Sequence, residues 1–353
     1  MTDIGAGMAL DESSFGSMTE SLRRDLLLHC YRFSGSLTEA EDLVQETLAR
    51  AWRGRAGFRG EASPRTWLRR IATRVCLDAQ RSRRGRRTLP SAVRESRAEE
   101  VLWLDPMPDH LLADIDADPA ATYDRRESVS LAFLAALQHL PARQRAVLIL
   151  RDVLALRAGE VAQELEVSES AVTSLLHRAR GTMRAMRAEP RAIRPTDADT
   201  EHLLTSYIRA WEAGDVHALL ALLKRDATLE MPPVAFAPAG HDAIGAFLSD
   251  GILNGTPGRW RAIPTASNGA PAAAIYERGG AGYRFLGVHL IASADGKIST
   301  VTAFMGPELA GRFGLPLRLP LQPIRGSGGP PRADRPPTRR PTPRRGGRAA
   351  GAR

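Results

Sequence analysis

The sequence predicts a multidomain fold: two all-α domains, the second with a helix-turn-helix, followed by an α+β domain and a disordered basic tail. Apolar residues repeat at helical spacing from about residue 20 to residue 190. From about residue 199, two amphipathic helical stretches precede short alternating runs, an order typical of an α+β domain. The residues from 319 onward are rich in Pro, Gly and Arg and cannot offset their chain entropy by burial.

The length and the apolar pattern favour a modular protein. A chain of 353 residues suits two or three small domains. No apolar stretch approaches the ~20 residues that cross a bilayer, and the acidic N-terminus lacks a signal-peptide pattern, so we expect a cytoplasmic protein without a membrane partner. Cys30 and Cys76 fall within amphipathic helical patterns and are expected to be buried, reduced thiols. We predict no metal site and no cofactor.

The charges are separated along the chain, within a formal net charge of +9. Residues 50–97 and 325–353 are strongly basic, whereas residues 98–140 are acidic. Nearly all of the cations are arginines, which indicates a codon bias and makes any single arginine a weak indicator of binding. Blocks of one sign nevertheless indicate a polyanionic partner at the basic segments.

The predicted boundaries follow from these changes in composition and from prolines that interrupt helical patterns. They are an N-terminal extension (1–19), a first helical domain (20–90), an acidic linker (91–121), a second helical domain (122–190), an α+β domain (197–318) and a disordered tail (319–353).

The first helical domain carries two amphipathic helices with different polar faces. Thr38 and Glu41 fit a capping box at the start of one helix, whose outward-facing residues are Asp42, Gln45, Glu46 and Arg50. Ser63 and Pro64 mark the start of the next helix by N-cap and N1 chemistry. That helix, "RTWLRRIATRVCLDAQRSRRGRR", is overwhelmingly basic on its polar faces.

The stretch "GEVAQELEVSESAVTSLLHRARGTM" predicts a helix-turn-helix. Ser168 can cap the second helix, and Glu166 stands in the turn where glycine would be expected. The polar stripe of this helix can approach base edges, with arginines for phosphates, and comprises Ser170, Thr173, Ser174, His177, Arg178 and Arg180. A packed helical hairpin with an ordinary polar exterior would show the same local pattern.

Five segments, taken in order, resemble the extracytoplasmic-function (ECF) sigma factors of bacterial RNA polymerase. They are "HCYRFSGSLTEAEDLVQETLARAWRG", "FRGEASPRTWLRRIATRVCLDAQRSRRGRR", "WLDPMPD", "ALQHLPARQRAVLILRDVLAL" and the helix-turn-helix. Residues 199–315 resemble the α+β SnoaL-like cone carried by one subgroup. The resemblance covers roughly residues 20–315 and implies two sigma domains, with core RNA polymerase and promoter DNA as partners. Five ordered motifs are more specific than any one of them.

The resemblance implies roles for the surfaces described above. The "DLVQET" helix would dock on the clamp helices of the polymerase β′ subunit through Asp42, Gln45, Glu46 and Arg50. The basic helix would bind the −10 element through Arg69, Arg70, Arg74, Asp78 and Arg81, and the helix-turn-helix would read the −35 element. Arg74 stands where the family usually has asparagine, so we expect −10 recognition to depart from the usual pattern.

The SnoaL-like domain is expected to modulate the sigma regions by packing on them. Its larger side chains are candidates for the lining of a small-molecule pocket, but residues at such spacing more often form an ordinary core; they are Trp211, Trp260, Tyr276, His289 and Phe304. The tail either adds nonspecific affinity for nucleic acid or has no role.

Two other classes of function remain open at this point. One is a stand-alone transcriptional regulator that uses only the helix-turn-helix and has no need of the "DLVQET" face. The other is a SnoaL-type enzyme fused to a DNA-binding module, for which His241 with Asp242 and the single His289 are the candidate acid/base groups. We expect the chain to catalyse no reaction itself.

Overall fold

The computed structural model describes residues 12–87, 104–112, 128–186 and 197–321, except 233, 235, 236, 254 and 257. Most of the predicted linker and the predicted disordered tail from 322 onward lie outside the described residues. Within the described ranges, no helix is both long and apolar enough to cross a membrane.

The first helical unit consists of α1 (Glu12–Ser34), α2 (Leu37–Gly54) and α3 (Pro64–Arg87). Because α1 begins at Glu12, the predicted extension over residues 1–19 was too long; Phe15 packs edge-on against Trp52, with ring centroids 5.2 Å apart. Ser63 caps α3 as predicted, accepting a hydrogen bond from the Thr66 amide at 3.2 Å.

The second helical unit consists of α4 (Leu131–Gln138), α5 (Ala142–Leu148), a π-helical turn (Ile149–Val153), α6 (Ala158–Leu165) and α7 (Glu169–Met186). Helices α6 and α7 form the predicted helix-turn-helix, and Ser168 caps α7 by accepting from the Ala171 amide at 3.2 Å. Glu166 ends α6 in the left-handed conformation, at φ 54° and ψ 50°. A non-glycine residue is uncommon in this conformation, so a glutamate at this position suggests that its side chain makes a contact that glycine could not make.

The two helical units share one hydrophobic core. Leu68 and Val75 of α3 belong to the same buried cluster as Ile149 and Leu150 of the second unit. Arg145 of α5 is buried between the units, where its guanidinium donates to the backbone oxygen of Phe33 and, at 2.7 Å, to Oε1 of Gln138. The predicted buried thiols Cys30 and Cys76 are both buried and free. The units therefore pack as one body.

The C-terminal unit begins with α8 (Asp197–Ala213) and α9 (Val216–Leu222) and continues with β1 (Leu223–Glu230), α10 (His241–Ser249), β2 (Trp260–Ser267), β3 (Ala270–Gly279), β4 (Gly282–Ala294), β5 (Lys297–Met305), α11 (Glu308–Arg312) and β6 (Arg318–Pro320). The sheet order is β1-β5-β4-β3-β2; β1 is parallel to β5, and the other neighbours are antiparallel. Because β6 pairs with β4, the ordered fold runs past the predicted boundary at residue 318.

Two tight hairpin turns of this sheet have the same design. Asn268-Gly269 joins β2 to β3, and Asp295-Gly296 joins β4 to β5, each with positive φ at both residues. This is the type I′ geometry that the twist of paired strands favours. The two turns differ in their surroundings, because Asn268 is buried, whereas Asp295 is exposed and pairs with Lys224 at 3.2 Å.

Candidate functional site

The polar face of α2 is uncovered. Asp42, Gln45 and Glu46 are exposed, as the sequence predicted. Arg50 is partly buried and pairs with Glu46 at 2.7 Å and with Asp78 of α3 at 2.8 Å. These hydrogen bonds, that to Asp78 first, raise the pKa of the Arg50 guanidinium. Arg50, predicted to contact core polymerase, and Asp78, predicted to contact the −10 element, thus belong to one ion-paired group across α2 and α3.

The basic helix α3 faces the helix-turn-helix, and two of its arginines are paired there. Arg69 lies 3.4 Å from Oε2 of Glu164 in α6, and Arg74 pairs with Glu166. Glu164 is 2 % exposed and also accepts from the hydroxyl of Thr73 at 2.8 Å. A carboxylate on a guanidinium occupies the position that a DNA phosphate would need, so Glu164 and Glu166 cover part of the predicted −10 surface.

The other predicted −10 residues have different environments. Arg70 is partly buried, and its Nε has no hydrogen-bond partner among the described residues. Arg81 is exposed and lies 3.6 Å from Asp78. Asp78 therefore serves as an anion for two arginines, and the structure does not place all five side chains on one free surface.

The polar stripe of α7 is exposed along its whole length. All six predicted −35 residues are exposed: Ser170, Thr173, Ser174, His177, Arg178 and Arg180. The opposite face buries Val172, Leu176 and Ala179, as the spacing predicted. Arg180 differs from the rest because its guanidinium holds Asp152 through two hydrogen bonds, of 2.9 and 2.7 Å. The predicted reading face is therefore exposed in this arrangement, and its flanking cation Arg180 is ion-paired.

Asn268, in the β2–β3 turn, joins the C-terminal unit to both helical units. Its Oδ1 accepts from the amide of Met107 at 2.8 Å. Its Nδ2 donates to the Tyr31 hydroxyl at 2.8 Å and to the backbone oxygen of Val129 at 2.7 Å. Asn268 is 2 % exposed, so each of these bonds is made away from water. One side chain therefore connects four segments of the chain.

The described part of the linker lies between the units. Asp105 accepts from the hydroxyl of Ser36 at 2.6 Å and from the amide of Leu37 at 3.1 Å, so it helps to cap α2. The predicted capping box of Thr38 with Glu41 was therefore wrong: α2 begins at Leu37, and Ser36 is its N-cap. Arg312 of α11 donates to the Thr38 hydroxyl at 2.6 Å, which ties the C-terminal unit to the same helix start.

The five residues predicted to line a pocket in the C-terminal unit do not lie together. Trp211, Trp260 and His289 form one aromatic cluster, with centroids of Trp211 and His289 4.7 Å apart. Tyr276 and Phe304 belong to a second hydrophobic cluster, separate from that of the tryptophans. The five residues therefore do not line one common pocket, because adjacent residues of a strand face opposite sides of the sheet; their buried positions fit the ordinary core that the sequence favoured.

The cluster around His289 is held in a neutral state. Burial lowers the pKa of His289 to about 3 and raises that of Tyr207 far above its usual value. The Tyr207 hydroxyl and Nδ1 of His289 are 2.8 Å apart. Both groups are less than 4 % exposed, which is the usual environment of a core hydrogen bond.

Acidification should therefore destabilise the fold through His289. Between pH 6.5 and pH 3 the unfolded chain protonates this side chain and the folded chain does not, so stability is lost as the pH falls below 6.5. We expect a loss of about 2 kcal/mol between pH 8 and pH 5 from this residue. Denaturant unfolding of wild type and His289→Gln across this range should show a shallower pH dependence in the variant; equal slopes would contradict the assignment.

Sequence reasoning missed three residues that organise these surfaces: Glu164, Asp105 and Asn268. The Asn-Gly pair at 268–269 is a strong hairpin signal, but it gives no sign that the asparagine is buried against other domains. The carboxylates of Glu164 and Glu166 fit an ordinary polar exterior in the sequence, because their partners lie more than 90 positions away in the chain.

Comparison with known proteins identifies the classes of these units. Residues 18–86 match the family model for Sigma-70 region 2, residues 130–183 that for Sigma-70 region 4, and residues 204–301 that for the SnoaL-like domain. The fold is thus that of two helical sigma domains followed by an α+β SnoaL-like domain.

Full-length relatives define the family. The chain is 45 % identical over 313 residues to the ECF RNA polymerase sigma factor SigG of Mycobacterium tuberculosis, covering 86 % of this chain and 84 % of the relative. It is 30 % identical over 305 residues to SigJ of the same species, covering 82 % and 91 %. The crystal structure of SigJ superposes with a TM-score of 0.57 at 26 % identity, over 86 % of this chain and 99 % of that one. The chain belongs to the ECF family of RNA polymerase sigma factors.

Proposed function

We propose that this sigma factor, which directs core RNA polymerase to promoters, rests in a closed state that can bind polymerase before it can bind the −10 element. The observation that carries the proposal is the contrast between two surfaces. The α2 face with Gln45 and Glu46 is exposed, whereas Arg69 and Arg74 of α3 are paired with the carboxylates of Glu164 and Glu166. Polymerase would dock on α2 through the clamp helices of its β′ subunit, and opening would follow.

The −35 surface supports the same order of events. The six polar residues of α7 are exposed in the closed state, but the shared core holds α7 at a fixed distance from α3. Two DNA-reading helices can act on one promoter only when their spacing matches that of the two boxes. Separation of the helical units would both free the α3 arginines and allow this spacing to be set.

The SnoaL-like domain is proposed to stabilise the closed state. Asn268 contacts Tyr31 of the first unit and Val129 of the second through the same amide group. Its Oδ1 also accepts from Met107 of the linker at 2.8 Å. A domain bonded to both helical units opposes their separation. We infer that its role is conformational and that the chain catalyses no reaction itself.

The test is transcription in vitro with purified core enzyme. Full-length protein should initiate more weakly than a version ending near residue 195, whereas a version ending near residue 320 should behave like the full chain. The shortened protein must also bind core enzyme with unchanged affinity, because the α2 face is already exposed. Equal initiation by all three versions would refute the proposed modulation.

Gln45→Ala should weaken core binding without changing the stability of the free protein. Gln45 is exposed, so its truncation removes no internal packing. Affinity for core polymerase and the thermal unfolding midpoint of the free chain measure the two effects. Glu41→Ala, on a neighbouring exposed position of the same helix, is the matched control. Unchanged core affinity in the Gln45 variant would exclude this face as the docking surface.

Substitutions on α7 should separate base reading from phosphate binding. Thr173→Ala or His177→Ala should relax −35 preference, at about 1 to 3 kcal/mol per lost base contact. Arg178→Ala should weaken binding to all sequences alike. Holoenzyme binding to a set of promoters with single changes in the −35 element measures both. If all three variants keep the −35 sequence preference of the wild type, α7 is not the helix that reads this element.

A further inference from the structure

Asp152 of the π-helical turn holds Arg180 of α7 in a bidentate ion pair. Its Oδ2 accepts from Nε of Arg180 at 2.9 Å, and its Oδ1 accepts from Nη2 at 2.7 Å. Two parallel hydrogen bonds fix the orientation of a guanidinium, which a single contact does not. They use two of the five N–H donors of the group. Nη1 makes no hydrogen bond within the described part of the chain, so it is the end of Arg180 that can still contact DNA.

The backbone that carries Asp152 is anchored in the core. Two residues of the turn, Ile149 and Leu150, are fully buried. After the turn, the Leu154 amide donates to the backbone oxygen of Ile149 and the Leu156 amide to that of Leu150, each at 3.0 Å. π-helical turns are rare and frequently occur at functional sites. The turn therefore presents the Asp152 carboxylate to α7 from a fixed position.

This pair differs from the ion pairs that cover α3. Arg69 and Arg74 pair with carboxylates of the other helical unit, so separation of the units would release them. Asp152 and Arg180 both belong to the second helical unit. Opening would therefore leave their ion pair in place while α7 reads DNA. A role in holding the closed state does not account for it.

The two arginines that flank the polar stripe of α7 differ in their freedom. Residues two positions apart on a helix point about 160° apart, so Arg178 and Arg180 lie on opposite edges of the stripe. Arg178 donates to the backbone oxygen of Ser174 in its own helix at 3.4 Å, and it makes no ion pair with any residue that the structure describes. A mobile cation can reach a phosphate in any register on DNA, whereas an oriented and neutralised one cannot.

We propose that Asp152 is a positioning residue for −35 specificity. It neutralises Arg180, which removes one sequence-independent phosphate contact from α7, and it orients Nη1 so that this group meets DNA in one register only. Specificity is the difference between binding to the −35 element and binding to other DNA, so weaker nonspecific binding increases it. The inference rests on the proposed reading of the −35 element by α7.

Asp152→Asn tests this role, because it keeps the size of the side chain and removes its charge. Fluorescence anisotropy of the full-length chain with a duplex that lacks promoter sequence, over a series of NaCl concentrations, measures nonspecific affinity. We expect binding several-fold tighter than wild type, with a slope of log affinity against log salt steeper by about 0.9, the value for one more neutralised phosphate. Asp226→Asn, at an exposed position of β1, removes the same charge and should change neither quantity.

Two further measurements locate the source of the effect. Arg180→Gln added to Asp152→Asn should abolish the gain in nonspecific affinity. In holoenzyme, Asp152→Asn should lower several-fold the discrimination between a promoter and its versions with single changes in the −35 element. An ion pair with a purely structural role would instead give weaker binding to all DNA and an unchanged salt slope.

Wild-type nonspecific affinity in Asp152→Asn, or a gain that persists without Arg180, would overturn the proposal. Circular dichroism melts establish whether Asp152→Asn is folded; Asp152→Ser, with the same expected results, replaces it if it is not. If Thr173→Ala and His177→Ala also leave −35 preference unchanged, the proposed reading by α7 fails as well. If they relax it while Asp152→Asn behaves as wild type, only the role of Asp152 fails.

Discussion

Asn268→Gly is expected to increase initiation by the full-length sigma factor by one to two orders of magnitude. Glycine keeps the positive φ of this turn, so the change removes the side-chain hydrogen bonds without straining the backbone. The amide of Met107 and the backbone oxygen of Val129 lose a buried partner. Each such loss costs about 1 to 3 kcal/mol, and the whole cost falls on the closed state.

The measurement is multiple-round transcription in vitro with saturating core enzyme, beside limited proteolysis of the free chain to detect release of the SnoaL-like domain. Asp295→Gly is a matched control, since it places glycine at the corresponding position of the same type of turn, where the native side chain is exposed and pairs with Lys224. The idea fails if the two variants initiate equally well or if Asn268→Gly initiates no better than wild type.

Glu164→Gln is expected to strengthen binding of the free protein to −10 DNA by about tenfold or more. The amide retains an acceptor for Thr73 but loses the charge that faces Arg69 from a fully buried position. A hydrogen bond to a charged group contributes about 1.5 to 3 kcal/mol, so its loss from the closed state shifts the population toward the open one.

Fluorescence anisotropy with a single-stranded −10 oligonucleotide, without polymerase, measures this effect. Glu166→Gln should give a smaller change, because the side chains of Glu166 and Arg74 are both more than half exposed and such pairs contribute at most about 1 kcal/mol. Glu201→Gln removes the same charge from an exposed site in α8 and controls for net charge. A Glu164 variant that binds no better than the Glu201 variant would contradict the masking of α3.

The sequence predicted the features that depend on local pattern. The caps at Ser63 and Ser168 and the buried face of α7 follow from residues within one or two helical turns, and all three were confirmed. The cap of α2 was mispredicted because part of it, Asp105, comes from the linker. The split of the aromatic residues between two clusters depends on strand register, which a short alternating run does not fix.

The sequence predicted which helix faces carry the candidate site residues, but not the side chains with which those residues pair. Two departures from expectation, Arg74 in α3 and Glu166 in the turn, looked unrelated in the sequence, yet they form one ion pair in the structure. The ion pair gives a physical reason for a glutamate, rather than glycine, in the left-handed backbone conformation at position 166. Pairing over 92 positions leaves no trace in periodicity or composition, so only the folded chain reveals it.

The common hydrophobic core of the two helical units should make the proposed opening of this sigma factor sensitive to temperature. Opening exposes apolar side chains such as Leu68 and Ile149 to water, and the penalty for that exposure diminishes on cooling. We therefore expect chilling to weaken the packing between the two helical units, whereas the hydrogen bonds at Asn268 do not depend on hydrophobic burial. At lower temperature, separation of the two helical units should therefore require less free energy.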